Sequence, residues 1–211
     1  MGGIALNHAD ILGVILAGGQ SRRYGEDKAL APLGGSRLIE HVLTRAAPQV
    51  GAMAVSGRGY GLGIPVISDA FVSEGPLSGV ISALDWAKAN GFSAIATFSC
   101  DAPFFPQDLV AKFLARAKRE LCSYARSGSG RHPVFALWRT QASGELHQLY
   151  ADGVRALREA QDRLYGQEVF FAGGAAPDGD MFFNINRQAD QVLAQHWLEN
   201  YVGAADLRAS M

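Results

Sequence analysis

Ile-Leu-Gly-Val-Ile-Leu-Ala, residues 11–17, is a nearly continuous apolar stretch that ends at Gly18-Gly19. Strands that are apolar on both faces are typical of the interior of a parallel sheet that helices cover on each side. After a polar loop, apolar residues recur at helical spacing over residues 39–46, and this stripe stops near Pro48. The strand and the helix together predict the first βα unit of an α/β fold.

The alternation of strand and helix patterns continues along the rest of the chain. Short apolar runs predict strands, apolar stripes at helical spacing predict helices, and Pro106 suits the first position of one of those helices. No internal repeat or linker divides the chain, so we expect the α/β layers to form a single domain. The predicted strands cover 53–55, 65–67, 94–98, 133–138 and 168–171, and the predicted helices cover 77–89, 106–117, 142–163 and 187–198.

The composition is that of one globular domain and gives no sign of a strongly charged binding surface. The 211 residues are 48% hydrophobic and 18% charged. With 19 Lys+Arg against 20 Asp+Glu, the net charge of −1 argues against a nucleic-acid or anionic membrane surface as partner. Two cysteines without metal-binding spacing fit a reducing cytoplasm, and no targeting or membrane-spanning segment is predicted.

The connection between the first strand and the first helix is unusually long and polar. It runs Gly18-Gly19-Gln20-Ser21-Arg22-Arg23-Tyr24-Gly25-Glu26-Asp27-Lys28, where connections of about two to six residues are usual. Glycines allow backbone N–H groups to approach phosphate oxygens, and arginine and lysine add positive charge. The spacing matches neither the GxGxxG dinucleotide pattern nor the P-loop pattern. The loop therefore predicts a phosphate site of another kind, with an ordinary solvated surface loop as the alternative.

Aspartates follow two of the predicted strands. Asp101 lies just after the strand at 94–98, and Asp69 lies just after the strand at 65–67. Ligands of open α/β sheets bind where strands end at their carboxyl edge, so both side chains should face the glycine-rich loop. Asp101 is placed to hold Mg²⁺, which prefers few carboxylates together with water and substrate phosphates, and Asp69 is a weaker case of the same kind. Asp101 could instead cap the helix that follows it.

Further motifs follow the later strands in chain order. They are Gly75-Pro76-Leu77-Ser78-Gly79, Cys100-Asp101-Ala102-Pro103, His132-Pro133-Val134 and Asn184-Ile185-Asn186. With the pattern LAGGxSxRxGxDK at residues 16–28, they make the chain resemble the molybdenum cofactor guanylyltransferases, which are MobA-like nucleotidyltransferases. The resemblance extends from about residue 11 to residue 198.

This resemblance implies a three-layer α/β/α, Rossmann-like nucleotidyltransferase fold with a mostly parallel central sheet, as a single domain over residues 1–211. The part up to about residue 100 would bind the nucleotide and the remainder the acceptor. The implied reaction transfers GMP from GTP to the terminal phosphate of molybdopterin, with or without molybdenum, and releases pyrophosphate. Mg²⁺, or Mn²⁺ in its place, is the implied cofactor, and molybdoenzymes or their chaperones would receive the product in the cytoplasm.

Three charged residues receive catalytic roles from the resemblance. Arg23 and Lys28 would meet the nucleotide phosphates, and Asp101 would hold the metal. The turn at 75–79 would help to select guanine through its backbone groups, although its glycines and proline also suit a plain turn. The implied nucleotide-binding residues are Leu16, Ala17, Gly18, Gly19, Lys28, Asp69, Gly75, Pro76, Leu77, Gly79 and Asp101.

On the acceptor side, the resemblance implies contacts from His132, Asn184 and Asn186. A residue before proline is held extended, which can aim the His132 ring into the site, but a lone histidine is often structural. Asn186 could equally be the N-cap of the last helix. We expect Asn184, two residues earlier on a strand, to face the same side as Asn186.

Two other classes of function remain open at this point. A cytidylyltransferase acting on the same pterin, or a nucleotidyltransferase that activates a sugar phosphate, would use the same loop. A non-catalytic GTP-binding module could also retain it. The combination of Arg23, Lys28 and Asp101 favours catalysis, because a protein that only binds GTP does not need all three.

Overall fold

The computed structural model describes residues 6–18, 27–69, 75–116, 119–174 and 176–209, with the backbone alone from residue 201. The strands in these ranges form a seven-stranded sheet and a separate two-stranded hairpin, made by β2 and β3. In chain order they are β1 (Ile11–Leu16), β2 (Pro32–Leu33), β3 (Ser36–Arg37), β4 (Ala52–Ser56), β5 (Val66–Ile67), β6 (Ala94–Ser99), β7 (Cys122–Ser127), β8 (Gly130–Arg139) and β9 (Gln167–Phe170).

The large sheet has the strand order β5-β4-β1-β6-β8-β7-β9. β1 pairs in parallel with β4 on one side and with β6 on the other, and β8 runs antiparallel to both of its neighbours. Leu16, the last residue of β1, lies beside Ser56 on β4 and Ser99 on β6. The carboxyl ends of three adjacent strands therefore meet at one edge, which is where α/β sheets bind ligands.

Helices cover both faces of the sheet. Alternate residues of β1 point to opposite faces, so Ile11 and Ile15 join a core cluster that includes residues of α1 and α3. Leu12 and Val14 join the other cluster, which includes residues of α2, α4 and α5. The helices are α1 (Leu38–Ala46), α2 (Pro76–Ala89), α3 (Leu109–Arg116), α4 (Ser143–Ala151), α5 (Leu157–Arg163) and α6 (Gln188–Ala209).

The three-layer arrangement and the mostly parallel sheet confirm the predicted fold class. The helix expected over 142–163 is two helices, because the chain turns at Gly153, whose φ of +95° suits glycine. The expectation that Pro106 begins a helix was wrong, since α3 begins at Leu109. β7 was not predicted, and the last helix extends beyond residue 198.

Across the ranges that the structure describes, no helix combines the length and the apolar content that crossing a bilayer requires.

Candidate active site

A cavity of about 500 Å³ opens at the carboxyl edge of the sheet. It lies where β1, β4 and β6 end, and its wall is formed by the last residues of these strands, by chain segments that follow β1, β5 and β6, and by the start of α2. The lining residues are Leu16, Ala17, Gly18, Asp27, Lys28, Ser56, Asp69, Gly75, Pro76, Gly79, Ser99, Cys100, Asp101 and Val134.

Lys28 connects three segments of the chain at this cavity. Its Nζ lies 3.6 Å from Oδ2 of Asp101 and donates a 2.6 Å hydrogen bond to Oδ1 of Asn186. The other oxygen of Asp101 accepts a 2.6 Å hydrogen bond from Ser99 Oγ. Only 18% of the Lys28 side chain and 17% of the Asp101 side chain are exposed, so water screens this pair less than a surface ion pair. The structure thus brings a predicted phosphate-binding residue, metal-binding residue and acceptor-side residue together.

Asp69 lines the same cavity, beside closely packed backbone. Its Oδ1 is 3.5 Å from Ser56 Oγ, and its Oδ2 is 3.6 Å from the position that a Cβ on Gly18 would occupy. A Cβ on Gly79 would lie 2.9 Å from Ser56 Oγ, closer than side chains pack. Glycine at 79 therefore leaves room for Ser56 and Asp69 to approach the start of α2.

The turn at the start of α2 lines the cavity, and its glycine and proline also suit the backbone geometry of the turn. Gly75 has a φ of +121°, and a Cβ there would lie 3.0 Å from the carbonyl oxygen of Arg155, so this position requires glycine. Pro76 is the first residue of α2, as its fixed φ favours. The structure does not bring Leu77 into the cavity wall, because its side chain is fully buried in the core and its N–H faces the Arg155 carbonyl.

His132 lies on β8 and makes contacts within the protein. Its Nε2 is 2.8 Å from Ser127 Oγ, and its ring stacks on Phe182 with centroids 4.2 Å apart. Burial lowers the pKa of His132, while the nearby carboxylate of Asp180 partly opposes that shift. These contacts favour the structural alternative for His132 over direct contact with an acceptor.

The two asparagines of the last motif differ from expectation in their local structure. Asn184 does not lie on a strand, and its Nδ2 donates a 3.3 Å hydrogen bond to the Phe182 carbonyl. The N-cap alternative for Asn186 was wrong, because α6 begins at Gln188, two residues later, and the side-chain oxygen of Asn186 accepts from Lys28. Asp190 serves the start of the last helix instead, since its Oδ2 accepts from the N–H groups of Asn186 and Arg187. A lysine partner 158 residues away could not be found from local spacing.

Arg23 and Gly19, both predicted to bind the nucleotide, lie outside the described residues. Sequence reasoning gave no role to Ser56, Ser99, Asp27 or Tyr60. Ser56 and Ser99 are the last residues of β4 and β6, and this position at the carboxyl edge was the available signal.

The described cavity wall has an excess of negative charge. It includes three carboxylates, from Asp27, Asp69 and Asp101, against the single ammonium of Lys28. Burial, together with Asp101 and Asp27, raises the pKa of the Cys100 thiol to about 12, so this thiol stays protonated and is a poor nucleophile. A phosphate-bearing ligand would be repelled by this wall unless further cations accompany it. These carboxylates are groups that can hold a divalent metal ion beside an anionic ligand.

The profile of the MobA-like NTP transferase domain matches residues 13–164 of the chain. The chain belongs to the MobA-like NTP transferase family. The matched residues include β1 from Gly13 onward, the loop that ends at Lys28, all three aspartates of the described cavity wall and α2. Membership of this family places the glycine-rich loop, Asp69 and Asp101 within a nucleotidyltransferase domain.

Two molybdenum cofactor guanylyltransferases are similar to this protein over most of the chain. The molybdenum cofactor guanylyltransferase of Rhizobium leguminosarum bv. trifolii is 39% identical over 201 residues, which are 92% of this chain and 96% of that protein. The protein of the same name from Rhodobacter capsulatus is 39% identical over 191 residues, covering 88% and 95%.

Solved structures agree on the fold. The structure of molybdopterin-guanine dinucleotide biosynthesis protein A from Archaeoglobus fulgidus matches 90% of this chain and 99% of its own, with a TM-score of 0.68. Since the two sequences are only 23% identical, this likeness supports the nucleotidyltransferase fold of the MobA-like family and no finer conclusion.

Proposed function

We propose that this protein transfers GMP from GTP to molybdopterin, releases pyrophosphate and forms the molybdopterin guanine dinucleotide cofactor. The observation that carries the proposal is the meeting of Lys28, Asp101 and Asn186 at one cavity of the sheet edge. The names of the relatives, at 39% identity over nearly the whole chain, identify guanine and molybdopterin as the substrates to test first.

The reaction brings two anions together. A terminal phosphate oxygen of molybdopterin attacks the α-phosphorus of GTP, a new P–O bond forms, and the bond to the leaving pyrophosphate breaks. Because the attacking oxygen is already anionic, the step needs no general base. The protein therefore lowers the barrier mainly by aligning the two substrates and placing positive charge around the phosphates.

Lys28 is the described side chain that supplies this positive charge directly. Asn186 and Asp101 hold its ammonium at the cavity before substrate binds. When the nucleotide phosphates arrive, Lys28 can exchange these partners for phosphate oxygens, which are also hydrogen-bond acceptors. By the family motif, Arg23 adds a second cation from the same loop.

Asp101 is the proposed site of Mg²⁺, or of Mn²⁺ in its place, and Asp69 lines the same cavity. One or two carboxylates are what Mg²⁺ uses when substrate phosphates complete its coordination. When bound, the metal supplies positive charge to the phosphate oxygens. Ser99 orients Asp101 by donating to one carboxylate oxygen, which leaves the other facing Lys28.

Guanine presents N1–H and N2–H₂ donors and an O6 acceptor. Backbone groups of residues 16–19 and of the turn at 75–79 are the proposed partners for this edge. A base with another pattern would leave buried backbone groups unpaired, at about 1–3 kcal/mol each. On the acceptor side, we assign Asn186 and Asn184 to pterin contacts, with His132 supporting the wall behind them.

The N-terminal half is proposed to bind the nucleotide and the C-terminal half the acceptor. The bond from Lys28 to Asn186 joins these halves at the point where the reaction would occur. The proposal also places the protein in the cytoplasm, where molybdoenzymes or their chaperones would take over the product. The two free cysteines, Cys100 and Cys122, suit that reducing compartment.

The test is to incubate the purified protein with Mg²⁺ and either molybdopterin or a sugar phosphate as acceptor, and to supply GTP, CTP or ATP in parallel reactions. The dinucleotide product is then identified by mass. Turnover with GTP alone supports the proposal. A preference for CTP would keep the mechanism and overturn the assigned base, whereas turnover only with a sugar phosphate as acceptor would overturn the assigned acceptor.

A further inference from the structure

Tyr60 lies in the connection between β4 and β5 and contacts both sides of the glycine-rich loop. Its hydroxyl oxygen is 3.1 Å from the carbonyl oxygen of Ala17 and 3.0 Å from Oδ2 of Asp27. Ala17 directly follows β1, and Asp27 directly precedes Lys28. One hydroxyl group therefore lies against the chain where it enters the loop and where it leaves it.

The contact with Asp27 reaches Lys28 through one further hydrogen bond. The second oxygen of Asp27, Oδ1, accepts from the backbone N–H of Ala29 at 3.1 Å and so caps the short 3-10 helix at Lys28–Leu30. Lys28 is the first residue of that helix. The orientation of the Asp27 carboxylate thus helps to set where the Lys28 side chain starts, and Tyr60 holds that carboxylate from the opposite side.

Tyr60 is itself firmly held. Its side chain is largely buried, with 8% of the residue exposed, and its carbonyl oxygen accepts a 2.8 Å hydrogen bond from Arg37 Nη1. Arg37 is fixed in turn by Glu40, whose carboxylate accepts from its guanidinium at 2.8 Å. Because the Tyr60 ring is buried and its backbone is fixed, its hydroxyl has a defined position against the residues at both ends of the loop.

The Tyr60 phenol is a hydrogen-bond donor at neutral pH. Burial, and after it the hydrogen bond to Asp27, raise the pKa of Tyr60 well above its ordinary value, so the hydroxyl keeps its proton. The single phenolic hydrogen is shared in a three-centre bond between Asp27 Oδ2 and the Ala17 carbonyl, and the charged carboxylate is the stronger of the two acceptors. Removal of the hydroxyl would leave the Asp27 oxygen without this partner and the Ala17 carbonyl without this contact.

We propose that Tyr60 is a positioning residue for the nucleotide, whose hydroxyl holds the two ends of the glycine-rich loop in register so that Lys28 meets the phosphates. This inference rests on the proposed function and extends it to a residue that does not line the described cavity wall. It differs from a purely structural role, because Tyr60 would act on GTP binding and not on the acceptor.

The first test compares Tyr60→Phe with wild type and with the control Tyr124→Phe. Tyr124 is also 8% exposed, but it lies on β7 beneath Arg131 and away from the cavity. We expect Tyr60→Phe to raise the KM for GTP about tenfold, the factor expected for one lost hydrogen bond to a charged group. The KM for molybdopterin should stay within about twofold, and Tyr124→Phe should match wild type in both constants.

A second variant tests the same contact from the other side. Asp27→Asn retains an oxygen that can cap Ala29 but weakens the bond to Tyr60. It should also raise the KM for GTP, and the double variant should be no worse than Asp27→Asn alone, because both changes break one contact. Effects that multiply in the double variant, or an unchanged KM for GTP in either single variant, would overturn the inference.

The outcomes separate this inference from the proposed function. If wild-type protein forms no guanine dinucleotide, the proposed function fails. If wild type forms it and Tyr60→Phe lowers only the melting temperature or the active fraction, the positioning role fails and the proposed function stands. A matched rise in the KM values for GTP and molybdopterin would likewise contradict a role confined to the nucleotide loop.

Discussion

Lys28 Nζ donates a 2.6 Å hydrogen bond to Oδ1 of Asn186, across a sequence separation of 158 residues. This bond connects the end of the glycine-rich loop to the segment that precedes the last helix. Because Asp101 lies 3.6 Å from the same ammonium, the charge of Lys28 is shared between a neutral amide and a carboxylate. These two partners hold the Lys28 ammonium at the cavity. An arriving phosphate can replace them, because its oxygens are also hydrogen-bond acceptors.

Lys28→Met removes this charge and keeps most of the apolar stem. We expect kcat/KM for GTP to fall about 100-fold or more, since loss of one group that stabilises transferring charge typically costs that much. Steady-state kinetics with GTP and molybdopterin measure the effect. Lys112→Met is the matched control, because Lys112 pairs with Asp108 just before α3 and does not line the cavity. This variant should leave kcat/KM unchanged. A Lys28 variant with normal kinetics would contradict the assignment of the loop.

Asp101→Asn is expected to abolish Mg²⁺-dependent transfer while the fold is retained. The amide preserves the shape of the side chain, and the backbone carbonyl of Asp101 still accepts from the Ile185 N–H. A titration of Mg²⁺ against product formation, with circular dichroism as a check on folding, measures both parts. Asp108→Asn serves as control. Turnover of Asp101→Asn equal to wild type at the same Mg²⁺ concentration would remove Asp101 from the metal site.

Gly79→Ala tests the close packing behind Asp69. The new methyl group would lie 2.9 Å from Ser56 Oγ, so Ser56 must move and its contact with Asp69 must change. We expect a several-fold higher KM for GTP with a small change in the free energy of unfolding, because alanine also favours the helix. Gly144→Ala on α4 meets open space and should add about 0.5–1 kcal/mol of stability with no kinetic effect. Equal KM values for both variants would refute the packing argument.

His132 gives a pH dependence of stability with a definite sign. Burial lowers its pKa in the folded protein, so the unfolded chain binds the proton more tightly. The stability that His132 contributes is therefore present above its unfolded pKa of about 6.5 and is lost as the pH falls through that value towards the folded pKa. Thermal melts of wild type and of His132→Gln, recorded from pH 5 to pH 8 in steps of about half a pH unit, measure how the melting temperature of each depends on pH.

The variant His132→Gln should show the smaller loss of melting temperature on acidification. Its KM for molybdopterin should remain near that of wild type, because the ring contacts Ser127 and Phe182. A large rise in that KM with an unchanged pH profile would return His132 to direct contact with the acceptor.

The sheet and its first helices could be predicted because their patterns are local. β1 is apolar on both faces, and the stripe in α1 has plain helical spacing. β7 has the sequence Cys-Ser-Tyr-Ala-Arg-Ser, in which polar residues interrupt the apolar run, so its place in the sheet depends on pairing with β8 and β9. Burial there results from tertiary packing, which overrides local propensity.

Some residues of the candidate site could also be predicted from local sequence, and others could not. Asp101 and Asp69 were predictable as acidic residues that follow strands, because parallel strands end at a common edge. The partners of these residues were not predictable, since Tyr60 reaches Asp27 and Lys28 reaches Asn186 only after the chain has folded. The N-cap alternative for Asn186 failed because α6 begins only at Gln188, and the distant Lys28 is the partner of its amide oxygen.

In the proposed reaction, the protein cleaves GTP between the α- and β-phosphates and attaches GMP to molybdopterin. A mass analysis of all products from one reaction with GTP, Mg²⁺ and molybdopterin tests this. We expect equal amounts of pyrophosphate and of a pterin product heavier by one GMP unit. Release of GDP and inorganic phosphate, with the pterin unchanged, would contradict the proposed reaction and would indicate a GTP-hydrolysing or GTP-binding module instead.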